Sequence, residues 1–227
     1  MKVTRRNLLG TVAAGAALVG LGAGCEKQAK RDCPKESKPM ALKNSDFYKP
    51  DGTFDQEAAK KAYFAMMERF GYPVYEKLRK EMWVLDFAVG RFTEVGMGGI
   101  FWINDKAGQY LGHEIYLLPG QMIPEHWHVK TAEGPAKAEA WQLRYGAVTL
   151  FGEGPETPGA IEKVPASERA CVTVKNATVL ALGEVAPLVR VESRHFMVAG
   201  PDGCIVSEYA SYHDMAGLKF TNPKIKL

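Results

Sequence analysis

The sequence predicts a mainly β protein, a barrel or double-sheet jelly roll with two helices ahead of it. Two observations carry this expectation. Between residues 82 and 209, about ten short apolar or alternating runs follow one another at regular spacing, bounded by turn signals such as Asn104-Asp105 and Pro119-Gly120 and with no helical stretch between them. Before them, residues 55–70 hold good helix formers, with apolar side chains at Ala58, Ala62, Ala65, Met66 and Phe70 and a stop at Gly71. A shorter helix is expected from Pro73, a favoured first helical position, to about Glu81.

The strands are expected, in order, at 83–87, 99–103, 113–118, 138–144, 148–151, 171–174, 178–182, 188–191, 195–198 and 204–209. The tail, 211–227, reads as a covering segment anchored by Phe220 and Pro223. At 227 residues the chain fits one domain plus a targeting segment, and 46% hydrophobic residues suffice for a sizeable core. The formal charge of +3 equals the contribution of Lys2, Arg5 and Arg6, which lie in an acid-free stretch, 1–24. The remainder is neutral, so it offers no electrostatic footprint for nucleic acid.

That N-terminal stretch has its own logic. Thr4-Arg5-Arg6-Asn7-Leu8-Leu9 is a twin-arginine motif, followed by a small-residue apolar run over 8–24 that is short for a membrane span. It ends in Leu21-Gly22-Ala23-Gly24-Cys25, which resembles a lipoprotein processing box. The expected organisation is a Tat-type signal over 1–25, a Lys-rich tether with Pro34 and Pro39 over 26–45, a helical extension over 46–82 and the barrel over 83–227. The barrel is then periplasmic or membrane-anchored, touching the membrane only through the signal or a lipid; an uncleaved anchor helix would also leave it outside the cytoplasm. With Cys25 lipidated, Cys33, Cys171 and Cys204 form an odd set without zinc-knuckle spacing. Cys171 and Cys204 sit in apolar runs and read as buried thiols.

The histidines carry the chemistry. They lie at 113, 126, 128, 195 and 213. In a strand, residues two apart face one side, so His126 and His128 point together while Trp127 points away. Joined by a carboxylate and a third imidazole, such a pair suits a divalent first-row metal. Glu139 is the preferred carboxylate because 138–144 is strand-like and can aim it into a barrel; Glu133, in a loop, is its rival. His195, at a strand start, is the preferred third imidazole, with His113 as the alternative and His213 read as a surface or lid residue. On parity, Lys137 and Trp141 share the face of Glu139 and Arg144 faces outward. For any of Trp102, Tyr116, Trp127 and Trp141, core packing stands beside a sugar-stacking role.

Gly120, five residues, then His126-Trp127-His128, with Glu139 and Gly146 beyond, resembles the first motif of the cupin superfamily. Within it, the chain is most similar to the D-lyxose isomerase-like sugar isomerases. The resemblance rests on residues 113–121, Pro124-Glu125-His126-Trp127-His128, Lys137-Ala138-Glu139-Ala140-Trp141 and 208–214. It implies a cupin barrel performing a manganese-dependent aldose–ketose isomerisation on a small sugar, and a homodimer.

Isomerisation needs a proton moved between C1 and C2 through a cis-enediol, carried by a carboxylate whose burial brings its pKa toward working pH. Glu208, on a late strand, is the candidate; an outward-facing or salt-bridging carboxylate is the alternative. Two further readings stand beside the isomerase. One is a non-enzymatic sugar-binding lipoprotein; the other is an iron-dependent oxygenase, since three histidines and a glutamate also suit iron, and zinc.

Overall fold

A computed structural model describes residues 40–227, so the twin-arginine motif, Cys25, Cys33 and most of the tether segment lie outside the described residues. The elements are α1 (Gln56–Arg69), α2 (Glu76–Glu81), β1 (Trp83–Leu85), β2 (Met97–Asp105), β3 (Tyr110–Leu117), β4 (Met122–His128), β5 (Glu139–Gly152), β6 (Asn176–Leu180), β7 (Val185–Pro187), β8 (His195–Ala210) and β9 (Leu218–Phe220). Among the described residues, no helix is long and apolar enough to cross a membrane.

The mainly β, cupin-type expectation holds, and the long strands show how the barrel closes. The pairs expected as 138–144 with 148–151 and 195–198 with 204–209 are continuous strands, β5 and β8, antiparallel along nearly their whole length. The C-terminal half of β8 pairs with β3 while the start of β5 pairs with β7. The N-terminal half of β8 pairs with β4 while the end of β5 pairs with β6. One strand pair thus runs through a single curled nine-stranded sheet, with the other strands flanking it on both sides of a corner. The corner lies where Gly146 (φ 75°) meets Cys204, beside Gly203 (φ 83°), and the register shifts between Gly146 and Val148. Glycine is required there because the two backbones cross too closely for a Cβ.

Asp55 caps α1, its carboxylate accepting the N–H groups of Glu57 (3.1 Å) and Ala58 (3.0 Å). The buried stripe is Ala59, Tyr63, Met66 and Met67, a rotation from the expected one that leaves Ala65 exposed, because the larger side chains claim the interface. α2 starts later than expected; Pro73–Tyr75 stay extended ahead of it. Both helices cover the outer face of β1, β2 and β3. Along β3 the two faces divide the burial: Ile115 and Leu117 enter the barrel core, whereas Tyr116, with Leu118 just beyond the strand, packs under the helices with Tyr63, Met66 and Leu78. Met40 and Leu42, at the end of the segment read as a tether, pack against this second core.

Two expected strands are absent. Residues 171–174 form no ladder because the N–H groups of Thr173 (2.6 Å) and Val174 (2.9 Å) donate to the Glu125 carboxylate. Residues 188–191 make one strand-like bond, Leu188 N–H to the Glu139 carbonyl, then turn and leave Val189 and Val191 exposed; the short strand β7 precedes them. The tail does cover the barrel, and it adds an unforeseen strand, β9, beside β4. Cys204 is fully buried, and burial pushes its thiol pKa up; Cys171, expected buried, is partly exposed at the end of a 3-10 turn.

Glu125 is the hub of this side of the barrel. Its side chain is fully buried and also accepts the hydroxyls of Thr173 (2.7 Å) and Thr221, with Arg194 at 3.6 Å, so one carboxylate ties β4 to the 171–174 segment and the tail. Glu125→Gln keeps the size but turns an amide NH2 toward these donors. Chemical denaturation is expected to show a loss of about 3 kcal/mol, the order found when a buried, multiply hydrogen-bonded charge loses its partners.

Candidate metal and proton-transfer site

The two histidines of β4 reach the interior through a bulge. Ile123 pairs with Met197 and His126 with His195, so one extra residue sits in β4 at Pro124-Glu125. Proline suits that place, having no N–H to lose from a ladder. The bulge resets the alternation so that Ile123, His126 and His128 all line one cavity of about 260 Å³. His195 arrives from β8 directly opposite His126.

Backbone carbonyls fix the rings. His126 Nδ1 lies 2.8 Å from the Pro124 carbonyl and His195 Nδ1 2.9 Å from that of Ser193. A carbonyl only accepts, so each Nδ1 carries the proton and each Nε2 keeps its lone pair. Nitrogens of His126, His128 and His195 lie within 4.8 Å of one another. Glu139, from the start of β5, places Oε1 3.4 Å from His128 Nε2 and Oε2 3.0 Å from His195 Nε2. Glu133, its rival, lies in an exposed loop paired with Lys106.

Beside this group, Lys137 donates to Glu139 Oε1 (2.7 Å) and to Glu208 Oε1, and Glu208 Oε2 lies 2.6 Å from His113 Nδ1. The ladder explains the meeting: Glu208 on β8 is opposite His113 on β3 and opposite Trp141 on β5. His113 therefore belongs to the Glu208 pair and not to the three-histidine group. His213 lines the cavity from the tail, with its Nε2 3.0 Å from the Met215 sulfur. Trp141 lines the cavity with its ring 5.0 Å from that of His195, and Arg144 is exposed, both as parity required.

The electrostatics depart from one expectation. Burial by itself raises the Glu208 pKa, but the Lys137 ammonium and the His113 hydrogen bond overcome it and hold the carboxyl at about 2. Glu139 follows the same logic: burial pushes it up, Lys137 pulls harder, and it ends well below the ordinary range. Lys137, despite burial, is held above its usual value by the two carboxylates. Burial, then the neighbouring His195, lowers His126 to about 3; burial and Lys137 lower His128 further and His213 to about 4. Glu208 is thus ionised rather than tuned toward neutral pH.

These features are what a divalent cation needs. Glu139 Oε2 and His195 Nε2 are buried without a hydrogen-bond partner although they face each other, and two acceptors in that relation repel unless a cation lies between them. Two carboxylates against one ammonium also leave a net negative charge among neutral imidazoles. The donor set, nitrogen with one carboxylate oxygen, suits manganese, iron or zinc.

What the sequence did not reveal was the set of apolar side chains around this cluster. Trp83, Phe87, Phe101, Met215, Leu218 and Phe220 line the cavity from β1, the loop after it, β2 and the tail. Only the aromatic content of those segments hinted at them.

No protein-family model matches the chain. It is 30% identical over 171 residues to the D-lyxose/D-mannose isomerase of Thermosediminibacter oceani, covering 75% of this chain and 92% of that one. It is also 30% identical over 161 residues to the D-lyxose ketol-isomerase of Cohnella laeviribosi, covering 71% and 87%. Among solved structures, the ligand-free L-ribose isomerase of Cellulomonas parahominis shares the fold with a TM-score of 0.57 at 15% identity, over 74% of this chain and 91% of the other. A variant of the Acinetobacter sp. DL28 L-ribose isomerase in complex with L-ribose does so with a TM-score of 0.59 at 14% identity, over 75% and 92%.

Proposed function

We propose, on the premise that this chain belongs to the D-lyxose ketol-isomerase family, that it interconverts a free aldose, D-lyxose first, with its ketose by proton transfer between C1 and C2. The observation that carries this reading is the buried Glu208–Lys137–Glu139 bridge, which sets an ionised carboxylate beside the three-histidine group inside one cavity.

His126, His128, Glu139 and His195 would hold the metal, which in this reading is manganese, with iron and zinc compatible with the same donors. Once bound, it would serve as a Lewis acid toward the substrate oxygens on C1 and C2. Glu208 takes the proton from C2 as the hydroxyl proton passes from O2 toward O1, then returns its proton to C1 of the cis-enediol from the same face. Lys137 and His113 hold the two oxygens of that carboxylate and so fix its direction. Lys137 also ties its position to Glu139, so the proton carrier and the ligand group keep one geometry. The apolar walls exclude water, which limits loss of the mobile proton.

Elemental analysis of purified protein is expected to find about one divalent ion per chain, and His126→Ala to lose it. The manganese-loaded protein should convert D-lyxose to its ketose without oxygen. Oxygen uptake by the iron form without isomerisation would support the oxygenase reading, and a sugar-dependent rise in melting temperature without turnover would support a binding module. The reading also includes Tat export to the periplasm or a lipid anchor, for which residues 1–25 supply the sequence argument, and a homodimer.

A further inference from the structure

The cavity is chemically two-sided. Apart from the indoles of Trp83, whose N–H is buried without a partner, and Trp141, every polar side chain that lines it among the described residues belongs to the histidine–glutamate–lysine cluster, its partner His113, or His213. The rest of the wall is hydrocarbon and aromatic, with Leu85, Phe87, Met97, Ile123 and Phe220 among it.

Phe87 is held there against its backbone preference. It and Ala88 have φ of 53° and 55°, the left-handed region, which bulky residues rarely enter. The surroundings enforce it. Asp86 Oδ1 accepts the Ala88 N–H at 3.0 Å, and the Phe87 carbonyl accepts the Lys226 N–H at 3.1 Å. The ring, 2% exposed, packs edge-on against Phe220 at 5.9 Å, and Phe220 lies 6.0 Å from the His126 ring. Strain of this kind in a non-glycine residue persists only where neighbours over-determine it, and it gathers at binding sites.

From this we infer that Phe87, backed by Phe220, forms a dry wall against the end of the sugar remote from C1 and C2, and that the enzyme selects aldoses whose remote end is short or deoxygenated. The inference rests on the isomerase reading, because the polar cluster must take C1 and C2 for the remote carbons to face the wall. A hydroxyl held against the Phe87–Phe220 face of that wall meets only hydrocarbon and ring carbon there and loses its water, whereas a hydrogen or a methyl group loses nothing.

D-Lyxose, 6-deoxy-D-mannose and D-mannose isolate the effect, since they carry hydrogen, methyl and hydroxymethyl at the same carbon. In the manganese-loaded wild type, kcat/KM for 6-deoxy-D-mannose is expected to exceed that for D-mannose at least about tenfold, the scale of discrimination an apolar pocket reaches against a hydroxyl. Phe87→Gly, which suits the left-handed backbone, lets water reach the remote hydroxyl and should shrink that ratio at least about fivefold with D-lyxose still turned over. Phe87→Leu keeps a dry wall and should keep the ratio within about twofold of wild type. A wild-type ratio at or below unity, with D-lyxose turned over, overturns the inference and leaves the isomerase reading standing. Failure to convert any of the three sugars overturns both.

Discussion

Glu208→Gln is expected to bind its divalent ion as the wild type does and to lose about 10²- to 10⁴-fold in kcat, the range that a positioned proton-transfer group supplies. The substitution conserves size and the hydrogen bond available to Lys137, so the barrel should fold and the four-residue ligand group should be intact. What disappears is, among the described residues, the one side-chain carboxylate lining the cavity outside that group. Isomerisation in heavy water gives the sharper readout. The wild type should exchange the transferred hydrogen with solvent to a measurable degree, and the variant should show neither exchange nor product. Unchanged turnover would remove Glu208 from the mechanism and leave it a salt-bridge partner of Lys137. The depressed pKa makes the expectation stricter: the group is a carboxylate throughout the neutral range, so slow turnover cannot be blamed on a wrong protonation state in the wild type.

The largest structural effect is expected at the corner. In Gly146→Ala the new Cβ would overlap the carbonyl oxygen of Gly203, and φ at this position is 75°. Neither neighbour can yield, because both are backbone at the crossing of the two long strands. A loss of about 4 kcal/mol or more is expected, enough to unfold a typical domain at physiological temperature. Gly159→Ala is the control. Its φ is 74°, yet nothing lies within 4 Å of the added atom, so it carries the conformational cost alone, about 1–2 kcal/mol. Equal melting temperatures for the two variants would mean that the close approach at the corner contributes little.

The corner matters for the site as well. Glu139 and Glu208 lie on the parts of β5 and β8 on one side of the corner, and His195 lies on the part of β8 on the other side. A corner that opened by even a small angle would separate proton carrier from ligand group. The Gly146→Ala protein, if recovered at low temperature, is therefore expected to bind metal weakly.

Residue identity and parity alone determined a good deal. The β texture, the shared face of His126 and His128, the choice of Glu139 as a strand residue, and Lys137 and Trp141 beside it all follow from period two. That period is a property of the extended backbone and needs no neighbour. The start of α1 at Asp55 was equally local, since the capping side chain bonds N–H groups two and three residues on.

Only the tertiary structure decided the rest. Residues 171–174 look like a strand, yet their N–H groups are claimed by Glu125 from 48 and 49 residues away. The bulge at Pro124-Glu125 is set by pairing with β8, and without it Ile123 would face away from the histidines. Burial alone predicted a raised pKa for Glu208, but the Lys137 charge, brought across 71 residues of chain, reversed the sign. Side-chain alternation is written along the chain; which distant charge or donor meets a residue is written only in the fold.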